Sequence, residues 1–126
     1  MKSKEDYVSL EVAEALEKKG CNLSSEKCYI GGRFTDSEFA EEADDVVVSA
    51  PSLYDVQKWL RVQHHIHVNA DYEVYKEKWF FSLCVLDSNR IFQFEDMSES
   101  IYDSYESALN AGELDVLDLI QDENVD

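Results

Sequence analysis

Basic residues are missing from the last third of this chain. After Arg90 there is no Lys or Arg, while residues 91–126 carry eleven carboxylates. Residues 51–90 are balanced, and residues 1–50 carry twelve acids against six bases, which gives a formal net charge of −17. Such a surface repels phosphate and attracts basic proteins. We therefore expect no direct binding of nucleic acid. If electrostatic attraction determines the choice of a protein partner, that partner is expected to be basic.

Long apolar runs are absent as well. The apolar runs span only a few residues, as at 46–48 and 79–81, whereas a transmembrane helix needs about 20. The first residues are polar and lead into an amphipathic pattern, without the apolar segment of a secretory signal. These absences predict a soluble protein that does not associate with a membrane.

Cysteine is scarce, and proline and glycine are too. Cys21, Cys28 and Cys84 are odd in number, unlike the even, dense set of a secreted disulfide scaffold, so a reducing cytoplasm is the simpler interpretation. One Pro and four Gly enforce few breaks in 126 residues. This length fits a single domain over 1–126, and a 44% hydrophobic fraction is enough for one core.

The common catalytic motifs are missing too. The chain has no Gly-x-Ser-x-Gly elbow, no His-Glu-x-x-His and no Gly-rich phosphate loop. Carboxylates are so numerous that a chance acid–base pair carries no weight. We expect no cofactor and no catalytic residue, and we keep an enzyme or a small metal-binding protein as lesser alternatives.

The three histidines cluster at 64–67. In a strand, His65 and His67 would point to one face, and with Cys21 or Cys28 they could complete a tetrahedral metal site. The Cys-x6-Cys spacing is not a usual one for zinc. Exposed residues on the polar face of a strand are therefore the favoured interpretation of His65 and His67.

Periodicity and capping signals predict three helices. They span about 9–19 with Ser9 as N-cap, 53–64 with Ser52 as N-cap, and from Asp103 or Ser104 to about Gln121. Gly112 lies on the apolar face of the last helix. Its position indicates close packing on a sheet, although it could equally split the segment into two short helices. Leu119 is assigned to the same apolar face, and residues 122–126 should fray.

Alternation of polar and apolar residues predicts the strands. A hairpin is expected over 27–34 and a short strand over 46–48. A half-buried strand is expected over 65–70, a central strand over 78–86 and an antiparallel return over 90–94. The whole order predicts an α+β fold, with a three-stranded meander and short strands covered mainly on one face by three helices.

Six segments together resemble a group of small uncharacterised proteins encoded by phages and prophages of gut Bacteroidetes. The segments are 7–13 (YVSLEVA), 49–53 (SAPSL), 57–61 (QKWLR), 65–68 (HIHV), 79–81 (WFF) and 105–109 (YESAL). The resemblance implies a bacterial cytoplasm, a phage-related gene and an accessory or counter-defence role. It implies no activity, cofactor or catalytic residue.

Two interpretations of function stay open. The first is a protein-interaction module that contacts a partner, or a second copy of itself, through an exposed sheet face or an edge strand. Aromatic residues are enriched at interface centres. Its candidate contacts are Trp59, Tyr72, Tyr75 and Trp79.

The second interpretation is a nucleic-acid mimic, whose carboxylates imitate phosphates and occupy the basic groove of a host DNA-binding or defence protein. Binding of this kind weakens steeply as salt rises, whereas an aromatic interface tolerates salt. Its candidate residues are Glu95, Asp96, Glu99, Asp103, Glu106, Glu113, Asp115 and Asp118, with further acids at 41–45.

Overall fold

The computed structural model describes residues 2–86 and 95–120 of the chain. Three helices and two three-stranded antiparallel sheets form an α+β fold with helices packed against strands, which confirms the predicted fold class. The elements are α1 Leu10–Lys18, β1 Lys27–Ile30, β2 Arg33–Asp36, β3 Val47–Ser49, α2 Leu53–Gln63, β4 Ile66–Glu73, β5 Lys78–Val85, β6 Glu95–Met97 and α3 Tyr105–Leu119. Short 3-10 helices occur at Lys4–Asp6 and Ser37–Phe39.

Each α-helix begins at a serine whose Oγ accepts a hydrogen bond from a backbone N–H three residues further on. The caps are Ser9, Ser52 and Ser104, with N–H to Oγ distances of 3.3, 3.1 and 3.0 Å. Such caps satisfy donors that have no partner within the first helical turn. The predicted starts of all three helices are therefore confirmed.

The smaller sheet has the order β2-β1-β3, and the larger has the order β4-β5-β6. The predicted hairpin is β1–β2, which turns at two glycines with φ of 57° and 82°. The central position of β5 is confirmed, and its pairing with β4 runs from Ile66↔Val85 to Glu73↔Lys78. The described return strand is β6. The return predicted over 90–94 and the fraying predicted over 122–126 lie outside the described residues.

The core lies between the helices and one face of the β4–β5 pair. Its buried side chains share one stripe or face of each element: Val12, Ala13 and Leu16 from α1, Leu53, Val56 and Leu60 from α2, Val68, Ala70, Phe81 and Leu83 from β4–β5, and Ala108, Leu109, Val116 and Leu117 from α3. The smaller sheet contributes Tyr29 and Val48. Among the described residues, no helix combines the length and the apolar character that crossing a bilayer requires.

The glycine in α3 lets the helix approach the sheet closely. A Cβ added at Gly112 would lie 2.7 Å from Val68 Cγ2 and 2.9 Å from Phe81 Cγ. The helix runs through this position without a break, so the close-packing prediction is confirmed and the split into two helices is not realised. The assignment of Leu119 to the apolar face is wrong, because its side chain is 63% exposed.

The turn from α2 into β4 places a histidine in a left-handed backbone conformation. His65 has φ 57°, directly after His64, which ends α2 with φ −119°. The left-handed region costs roughly 1 kcal/mol or more for a side chain with a Cβ. We predict that His65→Gly raises the free energy of unfolding by about 1 kcal/mol, measured by urea denaturation.

The neighbouring position supplies the matched control. His64→Gly, at a negative φ, gains no relief of strain and should lower stability by about 0.5 kcal/mol. A His65→Gly variant that is no more stable than the unaltered protein would contradict the assignment of strain to this residue.

Candidate functional site

The β4–β5 hairpin ends in a turn that exposes apolar side chains. Residues 74–77 form this turn, with Tyr75 97% exposed and Val74 71% exposed. Tight turns usually contain Gly, Pro, Asn, Asp or Ser, and none of these occurs here. An aromatic ring kept in full contact with water at such a place is a feature of interaction sites.

A half-buried tryptophan, Trp79, lies two residues beyond this turn. Trp79 packs edge-on against Tyr72, with ring centroids 5.1 Å apart, and against Tyr105 at the start of α3, with centroids 5.8 Å apart. Its backbone pairs with Tyr102 through hydrogen bonds of 2.8 and 3.1 Å. We call the surface formed by Tyr72, Val74, Tyr75 and Trp79 the hairpin patch.

The fourth predicted aromatic contact lies elsewhere. Trp59 is half-buried on α2, and its ring lies 4.7 Å from the imidazole of His64, edge to face. It lines a shallow cavity of about 520 Å³ between the ends of α1 and α2, together with Lys19 and Gln63. Because α2 ends where β4 begins and the hairpin patch lies where β4 ends, Trp59 is separated from that patch by the length of the strand.

The described carboxylates of the last third differ in their surroundings. Asp103 forms an ion pair with Lys78, whose hydrogen bond is the main reason that the pKa of Asp103 is lowered. Burial raises the pKa of Asp115, and the nearby charges of Asp118 and Asp96 raise it further, so these three acids lie close together. Glu99 is exposed, Glu106 is partly buried at the start of α3, and Glu95 lies in β6.

Glu113 is not a surface residue, and its assignment to an exposed acidic surface is wrong. It is 0% exposed, and neither carboxyl oxygen has a hydrogen-bond partner among the described residues. Burial raises its pKa well above the ordinary value. The signal was present in the sequence, because position 113 lies four residues from both Leu109 and Leu117, which are buried on the same side of α3.

The predicted pairing of histidines on one face is also wrong. His65 precedes β4 with a left-handed backbone, so only His67 lies in the strand, where it is opposite Cys84. Burial is the main reason that the pKa of His67 is lowered, and the charge of Arg61 adds to the effect. Within residues 2–86 and 95–120, no three His, Cys, Asp or Glu side chains are arranged to hold a metal ion.

A groove of about 750 Å³ runs between the starts of α1 and α3, and sequence reasoning missed it. Its polar side chains bond with one another. Asn110 Oδ1 accepts from the Ser9 backbone N–H at 2.9 Å, and Asn110 Nδ2 donates to Ser9 Oγ at 3.1 Å. These bonds tie the two helices together.

Comparison of this chain with family models, with curated proteins and with solved structures finds no match. A function has to be inferred from the chain's own surfaces. Among those described, the hairpin patch combines a fully exposed aromatic ring with a packed pair of aromatic rings beside it. The candidate acids come from β6, α3 and the segment between them, and they include the buried Glu113 and the paired Asp103.

Proposed function

We propose that this chain is a non-enzymatic accessory protein of a bacterial cytoplasm that acts by binding another protein through the hairpin patch. The observation that carries this proposal is the 97% exposure of Tyr75 on the turn between Tyr72 and Trp79, whose rings pack against each other. Binding through rigid aromatic side chains costs little conformational entropy, which is why such residues anchor interfaces. The resemblance to phage-encoded proteins of gut Bacteroidetes supports an accessory role.

The charges beside the patch support a partner with basic residues at its rim. Asp71 is exposed beside Tyr72, Glu73 precedes the turn and Glu77 lies within it. Two lysines are nearby: Lys76 is exposed within the turn, and Lys78 is paired with Asp103, so the acids remain in excess around the patch. Complementary charge at a rim accelerates association and selects partners, while the aromatic centre supplies most of the affinity.

Tyr75→Ala should weaken binding of the partner about 30-fold, because truncating a central aromatic contact costs about 2 kcal/mol. The partner is first captured from a Bacteroidetes lysate on the immobilised chain, and affinity is then measured by calorimetry with purified proteins. Tyr72→Ala should act in the same direction.

Phe39→Ala is the matched control, because Phe39 is an aromatic residue 54% exposed outside the hairpin. It should leave the affinity unchanged. Equal losses from Tyr75→Ala and Phe39→Ala, or full retention of binding by Tyr75→Ala, would count against the hairpin patch.

Mimicry of nucleic acid is a second candidate, favoured by the proximity of Asp96, Asp115 and Asp118. The ion pair of Asp103 and the burial of Glu113 reduce its support, since both carboxylates are withdrawn from a phosphate-like array. A mimic would release its partner as salt rises and as duplex DNA is added, and changing the three aspartates to Asn would have the same effect. A partner that resists salt and ignores DNA supports the aromatic surface.

A further inference from the structure

The core contains one acid that nothing described neutralises. Glu113 follows the tightly packed Gly112, is 0% exposed, and has no hydrogen-bond partner for either carboxyl oxygen among the described residues. Burying an isolated carboxylate costs far more free energy than burying a neutral carboxylic acid. The packed form of this core therefore requires Glu113 to keep its proton.

Glu113 lies on the side of α3 that contacts α1. Glu113 follows Asn110 by three residues on α3, so the two side chains lie on neighbouring positions of the helix surface. Asn110 exchanges two hydrogen bonds with Ser9, the N-cap of α1. Just beyond the end of α3, the Ile120 carbonyl accepts a bond from Nζ of Lys19, the residue that follows α1. Along α3, Glu113 therefore lies between two contacts with the ends of α1.

The elements packed with α3 contribute apolar side chains to the core in which Glu113 is buried. Those on α1 are Val12, Ala13 and Leu16, those on α2 are Leu53, Val56 and Leu60, and those on the larger sheet are Val68, Ala70, Phe81 and Leu83. The acids and bases of α1 and α2 are all exposed: Glu11, Glu14, Glu17, Lys18, Asp55, Lys58 and Arg61. The hydroxyl of Tyr29, in the smaller sheet, donates a hydrogen bond to the Val8 carbonyl, and Lys19 Nζ donates one to the Ile120 carbonyl. Burial is accordingly the cause that raises the pKa of Glu113.

We propose that protonation of Glu113 controls the docking of α1 onto α3, so that loss of the proton opens the contact between the two helices. α1 is the element that moves, because Gly112 fixes α3 against Val68 and Phe81. α1 has only nine residues. The open form exposes the apolar stripe of Val12, Ala13 and Leu16 that the closed form hides.

The direction of the pH dependence follows from the buried state. Burial in the closed form raises the pKa of Glu113 above that in the open form. The closed form is therefore most stable relative to the open form below the ordinary Glu pKa of about 4.3. This stability is lost as the pH rises toward the raised pKa of the closed form. One proton is released on opening in that window. The equilibrium constant for opening therefore rises tenfold per pH unit.

Hydrogen exchange of the full chain, followed residue by residue by NMR between pH 5 and 8, tests the proposal. After correction for the intrinsic exchange rate, protection of the α1 amides should fall up to tenfold per pH unit. Protection of β5 amides should stay constant. In Glu113→Gln, the protection of the α1 amides should not depend on pH. His64 lines a cavity with Lys19 at the end of α1, so His64→Gln is the control. This variant should keep the pH dependence of α1 protection, which excludes His64 as its source.

Three outcomes of hydrogen exchange overturn the proposal: α1 protection that is independent of pH in the unaltered chain, a slope that survives in Glu113→Gln, or equal losses in α1 and β5, which indicate global unfolding. Should Glu113→Gln fail to fold, Glu113→Met replaces it. The carboxyl ¹³C signal of Glu113 in the unaltered chain gives an independent answer. A chemical shift of the ionised form at pH 5 overturns the proposal, and one of the neutral acid supports it.

Discussion

Gly112→Val should lower the free energy of unfolding by about 3 kcal/mol. The new Cβ would meet Val68 Cγ2 at 2.7 Å and Phe81 Cγ at 2.9 Å. Val68 Cγ2 and Phe81 Cγ are both attached directly to Cβ, so relief of the clash requires an unfavourable χ1 rotation or a shift of the backbone. Urea denaturation followed by tryptophan fluorescence measures the change.

Gly112→Ala distinguishes this packing effect from helix propensity. At an exposed position in the middle of a helix, exchange of glycine for alanine stabilises a protein by about 1 kcal/mol. At position 112 the overpacking should exceed that gain, so the variant is expected to be less stable than the unaltered chain. A more stable Gly112→Ala variant would show that α3 does not rest on the sheet as described.

Glu113→Met should raise the free energy of unfolding by about 3 kcal/mol at pH 7 and by less at pH 4.5. Methionine keeps the length of the side chain while it removes two buried oxygens without partners. The gain is larger at pH 7 because the unfolded chain ionises Glu113, whereas burial raises the pKa in the folded chain. Denaturation curves at both pH values measure the difference.

Glu17→Met is the control for this exchange, because it removes the same charge from an exposed position on α1. It should change stability by less than about 0.5 kcal/mol at either pH. If Glu17→Met stabilised the protein as much as Glu113→Met, relief of the overall negative charge would explain both results. A loss of stability in Glu113→Met would mean that the carboxyl group has a favourable partner.

Features that depend on local sequence were predictable. Each helix is capped by a serine whose Oγ accepts a hydrogen bond from the N–H three residues further on, so both partners lie within one short segment; the serines are Ser9, Ser52 and Ser104. The central strand followed from apolar residues on both faces, and the close approach at Gly112 followed from a small residue on an apolar stripe.

The errors occur where a neighbouring element decides the environment. Glu113 has the spacing of a core residue, but its charge led to a surface assignment. Leu119 follows Gly112 by two turns of α3, yet it lies in the last turn of the helix, where its side chain is 63% exposed. A periodic pattern indicates which side of a helix faces the core. It does not indicate at which residue the neighbouring elements cease to cover that side.

The candidate surface was predictable only as a set of residue types. The sequence groups Tyr72, Tyr75 and Trp79 with Trp59 as candidate contacts, but the exposure of Tyr75 and the contact of Trp79 with Tyr105 depend on strand register and on the position of α3. Trp59 could not be separated from them without knowing that the C-terminal end of α2 adjoins the start of β4, whereas the hairpin turn follows its end. The identity of a partner depends on a second molecule, which the chain's own sequence does not encode.

The hydrogen bonds between Ser9 and Asn110 join residues that are 101 positions apart. During translation, at about 5 to 20 residues per second, the first of these residues is made roughly 5 to 20 s before the second. For that time the apolar stripe of α1 has no α3 to cover it, and the same is true of the inner face of the β4–β5 pair for a shorter period. The speed of the ribosome therefore sets how long these surfaces are accessible to chaperones and proteases in the cell.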